Sequence, residues 1–223
     1  MKKLFPHIFV FVAFILLVAL GTWQVERRQW KQSLLTKIDR QMSAAPIPIG
    51  EYKNIGVDEY VKIAVRGKFL HDKELLLLNK PYNGKQGQHV ITPLKVTSGE
   101  VILVDRGWVP SDKEPERVDG QVEITGIVRA AQKLNFIGEV IVFDNQPKKQ
   151  LWFWLDLPEM YESLSLPPRD FYLDMINTGE STSYPIALPK DLKLYNEHLQ
   201  YAITWYCLSI ALLFVYYFRF WRK

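Results

Sequence analysis

The sequence predicts two membrane-spanning helices flanking a mainly antiparallel β-domain, closed into a small barrel and carrying short helices. Three observations predict it. Residues 8–20, IFVFVAFILLVAL, form an uninterrupted apolar run, and no charge follows until Glu26. Residues 201–218 carry no charge either and are stopped by Arg219, Arg222 and Lys223. Between the two runs lie short stretches of alternating apolar residues, separated by Asn83-Gly84, Ser98-Gly99, Asp119-Gly120 and several prolines, which is the punctuation of hairpins.

The first apolar run is preceded by Lys2 and Lys3 and followed by Trp23-Gln24-Val25 with no Ala-x-Ala pattern. A retained anchor over residues 1–25 is therefore expected rather than a cleaved signal. Beyond it, Trp23, Arg27, Trp30, Leu34 and Ile38 recur at three- and four-residue steps. That spacing predicts a helical extension over 26–44 with one amphipathic face. It should stop before Ala44-Ala45-Pro46-Ile47-Pro48, because the prolines remove amide donors and hold their preceding residues extended.

Residues 45–190 read as the β-domain. Its expected strands are VKIAVRGKF (61–69), ELLLLN (74–79), HVITPLKV (89–96), VILVDRGWV (101–109), VEITGIVRA (122–130), VIVFD (140–144), LWFWLDL (151–157) and FYLDM (171–175). Such a series of short strands with turn signals suits an antiparallel sheet closed on itself. A short helix is expected around Leu157–Ser165, and Pro167-Pro168 reads as a bend.

Residues 191–200 form a helical lead-in to the second span, 201–221. Tyr195, His198, Tyr201, Ala202 and Trp205 share one helical face, so the helix begins before its apolar run. Eighteen helical residues cover about 27 Å, close to the ~30 Å hydrocarbon core of a bilayer. Aromatic residues stand at both ends, where amphipathic rings meet water. Two spans put both termini on one side and the β-domain on the other. The terminal Lys and Arg residues favour the cytoplasmic or matrix side for the termini.

Charge is segregated along the chain. Residues 41–200 hold 18 Lys/Arg against 22 Asp/Glu, whereas the flanks hold ten Lys/Arg against Glu26 and Asp39. A phosphate-binding surface needs its positive charge on the folded domain, so nucleic acid is excluded as a partner and the basic flanks read as lipid anchors. The single cysteine, Cys207, lies in the second span. Intrachain disulfides, CxxC pairs and thiolate zinc sites are excluded with it.

No Gly-x-Ser-x-Gly, HExxH, Walker A or GxGxxG motif occurs, and none of the four histidines is three or four residues from another. The chain is therefore not expected to be an enzyme. Two places hold candidate binding chemistry. In Asp105-Arg106-Gly107-Trp108, at a strand end, glycine allows a tight backbone, Trp packs, and Arg pairs with a carboxylate or a partner. At the second place, antiparallel spans bring Trp23, Gln24 and Arg27 to the depth of His198, Tyr201 and Trp205. Imidazole, guanidinium and indole there could hold a planar amphipathic ligand. Interfacial belt residues account for the same composition, and both readings stand at this point. Thr204 and Ser209 read as helix-packing residues.

The blocks GTWQVERRQWK (21–31), GQHVITPL (87–94), VDRGWVP (104–110), GIVR (126–129), DNQP with LWFWLDL (144–157) and NEHLQYAITWY (196–206) resemble the signature blocks of the Surfeit-locus cytochrome c oxidase assembly proteins. The resemblance covers nearly the whole chain. It implies a non-enzymatic assembly factor of the bacterial cytoplasmic or mitochondrial inner membrane, with its central domain in the periplasm or intermembrane space. Its partners would be oxidase subunit I, other assembly factors and the lipid bilayer. The implied cofactor is haem a, held transiently, with His198 as the iron ligand and Trp23, Arg27 and Tyr201 shaping the site. Gln24, Arg106, Gly107, Trp108 and Trp205 are implied as structural or partner-binding residues. Two positions depart from the family pattern: Gln88 follows Gly87 where an aromatic is usual, and Asp105 stands where Asn is usual. A scaffold for subunit I that binds no haem is the alternative within the family. A membrane-tethered periplasmic sensor or enzyme is the alternative outside it.

Overall fold

A computed structural model describes residues 4–52, 59–131, 143–176, 184–187 and 197–220. In chain order the principal elements are α1 (Phe5–Ser43), β1 (Ile47–Pro48), β2 (Lys62–Phe69), β3 (Leu75–Leu77), β4 (Gly87–Val96), β5 (Val101–Pro110), β6 (Val122–Ala130), β7 (Leu151–Trp152), α2 (Leu157–Ser163), β8 (Phe171–Met175) and α3 (His198–Phe220). They fall into two compact units. One joins Met1–Arg40 with Lys193–Lys223, and the other is Gln41–Leu192.

The first unit is a helix pair. The predicted span and its extension form one helix of 39 residues, about 58 Å long. It ends at Ser43, where the Ala-Ala-Pro-Ile-Pro stretch forbids continuation. Both α1 and α3 are long and apolar enough to cross a membrane, and little of either apolar window is buried. A core helix of a soluble protein would instead bury most of its apolar side chains. The two helices touch through few residues. The Tyr216 hydroxyl meets His7 Nδ1, and the Tyr206 hydroxyl meets Thr22 Oγ1 at 3.1 Å. These contacts run in opposite order along the two helices, so α1 and α3 are antiparallel. Gly21 makes room for Tyr206, whose ring would stand 2.7 Å from a Cβ at that position.

The second unit is built on a closed ring of five strands, β2–β6–β8–β5–β4, with β4 returning to β2. Its alternation is written in the sequence: Ile63, Val65 and Phe69 of β2 point inward, while Arg66 and Lys68 stay exposed. Inside the ring they meet Leu94, Ile102, Val104, Val128, Phe171 and Leu173. Four of the five seams are antiparallel, and β5–β8 is parallel. A ring with an odd number of strands cannot alternate direction at every seam, so at least one parallel seam is unavoidable. With β1–β2 and β3–β7 also parallel, the sheet is mixed around the expected antiparallel core.

A second apolar cluster lies on the other face of β4 and β5. Leu103, between inward-pointing Ile102 and Val104, joins Leu75, Ile91, Trp152, Leu157, Met160, Tyr161 and Tyr172 there. Strands buried on both faces explain the near-continuous apolar run of VILVDRGWV. Tyr161 fastens this layer by accepting a hydrogen bond from the Leu103 N–H at 3.0 Å.

The run LWFWLDL does not form the expected strand. Only Leu151 and Trp152 pair with β3. The Asn145 side chain takes the N–H groups of Phe153 and Trp154, and Asp156 caps α2 by accepting from Glu159 N–H at 3.1 Å. The apolar residues of this run cover the barrel from outside instead of extending its sheet. Of VIVFD, residues 140–142 lie outside the described residues, and Phe143 and Asp144 are not in a strand. Most of the expected lead-in, 191–196, is also outside them; α3 begins at His198.

Candidate functional site

Within the helix pair, His198 is the first residue of α3 and Gln24 lies on the α1 face that meets it. His198 Nδ1 and Gln24 Oε1 are 2.8 Å apart. A carboxamide oxygen only accepts, so the imidazole donates from Nδ1. The neutral ring then carries its lone pair on Nε2, which has no hydrogen bond among the described residues. This arrangement, with one ring nitrogen held by a polar neighbour and the other free, is the one that orients a metal-binding histidine. Among the described residues His198 Nε2 is therefore available as a nitrogen donor to a metal ion.

The other candidates make no side-chain hydrogen bond to this pair among the described residues. Trp23 and Tyr201 are exposed, and Trp205 is partly buried. The Arg27 guanidinium sits 4.1 Å from the Trp30 ring centroid, which keeps its charge at the helix surface. Thr204 bonds the Gln200 carbonyl one turn back, and Ser209 that of Tyr206.

In the barrel, Arg106 and Gly107 form a bulge. β4 pairs His89 with Trp108 and then Ile91 with Asp105, so two residues of β5 oppose the single residue Val90. Gly107 has φ of 117°, and a Cβ there would come within 2.1 Å of the Ile186 carbonyl oxygen. Only glycine fits. The bulge turns Arg106 and Trp108 to different tasks. Arg106 is 3 % exposed, donates to Glu74 Oε2 at 3.2 Å and to the Glu116 carbonyl, and stacks over Phe69. Burial draws its pKa down while Glu74 opposes that shift. The geometry makes it a buried tie between β5 and the segments around it. Trp108 donates to the Lys80 carbonyl at 2.6 Å and packs on Tyr82.

Trp108 also walls a cavity of about 330 Å³. At its polar end stand His89, Asp105 and Asp174, from β4, β5 and β8. Asp105 and Asp174 are register partners across the parallel seam. Like charges placed opposite one another repel, and burial adds to that, so the Asp174 carboxyl is raised to about 7 with burial the larger cause. His89 lies 2.7 Å from Asp105 Oδ2; burial lowers its pKa, but the bond to Asp105 and that carboxylate's charge outweigh it and the net shift is upward. Burial also pushes the Tyr172 hydroxyl upward. Among the described residues no group of three His, Cys, Asp or Glu is arranged to hold a metal ion.

Sequence reading missed this cluster. Its members come from three strands, and their only shared signal was polar residues inside apolar runs: Asp105 in VILVDRGWV and Asp174 in FYLDM. The helix-pair contacts of Tyr206 and Tyr216 were missed as well: Tyr216 read as a belt residue, and the helix rotation that turns either tyrosine toward α1 is not written in the sequence.

The SURF1 family model matches residues 11–210. The chain belongs to the SURF1 family. Surfeit locus protein 1 of Xenopus tropicalis is 35 % identical over 92 % of this chain and 72 % of its own length. The protein of the same name from Rattus norvegicus is 33 % identical over the same shares. The SURF1-like protein of Rickettsia felis is 29 % identical over 94 % of both chains. The stretch matched to the SURF1 family takes in Gln24, His198 and the Gly107 bulge, and so spans both units of the fold.

Proposed function

We propose that this chain is a non-enzymatic assembly factor for haem–copper cytochrome c oxidase, which holds haem a at the outer membrane edge and assists its delivery to subunit I. Membership of the SURF1 family supports the oxidase pathway. The observation that carries the haem reading is the His198–Gln24 hydrogen bond, which leaves imidazole Nε2 free for iron. Haem a would bring a redox-active iron in a macrocycle with anionic propionates. His198 would bind it through Nε2, Gln24 would hold the ring in that tautomer, Arg27 would offer charge to a carboxylate, and Trp23 and Tyr201 would offer flat apolar surface.

The corresponding location is a bacterial cytoplasmic or mitochondrial inner membrane, with the β-domain in the periplasm or intermembrane space and both termini in the cytoplasm or matrix. Subunit I and other assembly factors are the partners, beside the lipid bilayer.

The test is the absorption spectrum of protein purified from cells that make haem a, compared with His198→Ala and Gln24→Ala. Loss of the haem bands in the first variant and a roughly 10- to 100-fold weakening in the second are expected. Unchanged haem content in His198→Ala removes that residue from the mechanism. Co-purification with oxidase subunits but without haem of any type supports the scaffold reading instead.

A further inference from the structure

The cavity beside Trp108 belongs to the β-domain alone and has no part in the function proposed above. About 330 Å³ is the size of a site for a small organic ligand. Most of its wall is apolar and aromatic, with Tyr82, Trp108, Trp154 and Leu155 among the lining residues. The wall is held in place: Trp108 and Ile186 exchange backbone hydrogen bonds at 2.9 and 2.7 Å, and the indole N–H is fixed on the Lys80 carbonyl.

The polar end is unbalanced. Both oxygens of Asp105 are engaged, Oδ2 by His89 and Oδ1 by the Gly107 N–H at 2.8 Å. Asp174 is only 9 % exposed and lines the cavity, yet among the described residues it has no hydrogen bond. Among the described residues its cationic neighbours are both committed elsewhere: His89 is bonded to Asp105, and Arg129 stands off at 3.8 Å and is shared with Glu59 and the Tyr60 ring. A buried carboxylate without a donor is costly, and one facing a second carboxylate more so. A ligand that brings N–H donors and positive charge relieves both. An inorganic cation is not what the site suits, because no metal-holding group of three is present among the described residues.

We propose that this cavity binds a compact organic cation, an ammonium or amidinium group on a flat apolar body, with the charge at Asp174 and the body against the aromatic wall beside Trp108. Two sources share this chemistry: a free small amine and a basic side chain of a protein segment. The geometry recognises the group common to them. Cation–π attraction from the indole acts in the same direction as the carboxylate.

The test is isothermal titration of the full-length protein in lipid nanodiscs with four probes: phenethylammonium, Nα-acetyl-arginine methylamide, 2-phenylethanol and 3-phenylpropionate. Saturable binding of at least one cation is expected, at least tenfold tighter than either the neutral or the anionic probe. Asp174→Asn should weaken it at least tenfold while keeping a cooperative melt. Tyr82→Ala, at an exposed wall position, should weaken it without touching the carboxylates. Tighter binding of the arginine derivative assigns the site to a protein side chain, and tighter binding of phenethylammonium assigns it to a free amine. Equal affinity of the native protein and Asp174→Asn, equal binding of 3-phenylpropionate, or no saturable binding up to about 10 mM overturns the proposal. Haem content is a separate readout, so loss of the helix-pair reading leaves this one standing.

Discussion

Asp174 and Arg106 show how single side chains set the behaviour of the barrel. The Asp174 carboxyl, about 3.9 in an unfolded chain, is raised to about 7 in the fold. An acid that holds its proton more tightly when folded contributes stability that is fully present below its unfolded pKa and lost as pH rises through the folded one. His89, also raised, acts in the same sense over a window that begins near its unfolded 6.5. The melting temperature is therefore expected to fall between about pH 4 and pH 8, and Asp174→Asn should flatten that fall; calorimetry at four or five pH values checks it. At the Arg106–Glu74 pair, Arg106→Leu leaves the half-buried Glu74 without its guanidinium while Thr92 and His71 still face it, at a cost of about 3 kcal/mol in urea unfolding. Arg106→Leu with Glu74→Leu should recover part of that loss, because the stranded charge goes too. Neither residue announced these roles in sequence. Arg106 could be given a carboxylate partner in general, but Glu74 and Asp174 reach their places through strand register, which one chain read linearly does not contain.

Among the elements, β5 depends on its bulge. Gly107→Ala puts a side chain into left-handed backbone and against the Ile186 carbonyl, so a loss of about 3 kcal/mol or more is expected, read as a lowered denaturation midpoint. Gly99→Ala, at a positive φ with open space around it, is the control and should cost far less. Elements with period-2 alternation or long apolar runs were legible: β2, β4, β5, β6 and β8, together with α1 and α3. The failure at LWFWLDL has a physical cause. A run of large apolar residues reports burial, and Trp152, Leu155 and Leu157 are buried as a cover over the barrel, while Asn145 and Asp156 take the backbone groups a strand would have used. Of the helix-pair candidates, Gln24 and His198 were legible as residues at one depth. The hydrogen bond between them depends on helix rotation, which depth does not specify.

At the scale of the molecule, two apolar helices and a domain with its own closed core are joined in one chain, and the division was legible from hydropathy and charge. What hydropathy could not supply was the direction of β8, since a strand buried on both sides looks alike running either way. That direction has a kinetic consequence. The β5–β8 seam is the shortest in the ring, with register pairs only at Val104↔Leu173 and Asp105↔Asp174, and it joins strands far apart in sequence. The hairpin seam between β4 and β5 can zip from its turn, but this one must wait for a long loop to close. Expressed alone, residues 41–192 should refold cooperatively, and Leu173→Ala should speed unfolding far more than it slows folding in stopped-flow measurements. The ring would then be a hairpin-nucleated sheet that becomes a barrel in its last step, with two facing carboxylates at the final joint. Protonation there would act as a brake on reopening, so the barrel's lifetime, and not only its stability, would lengthen in mild acid.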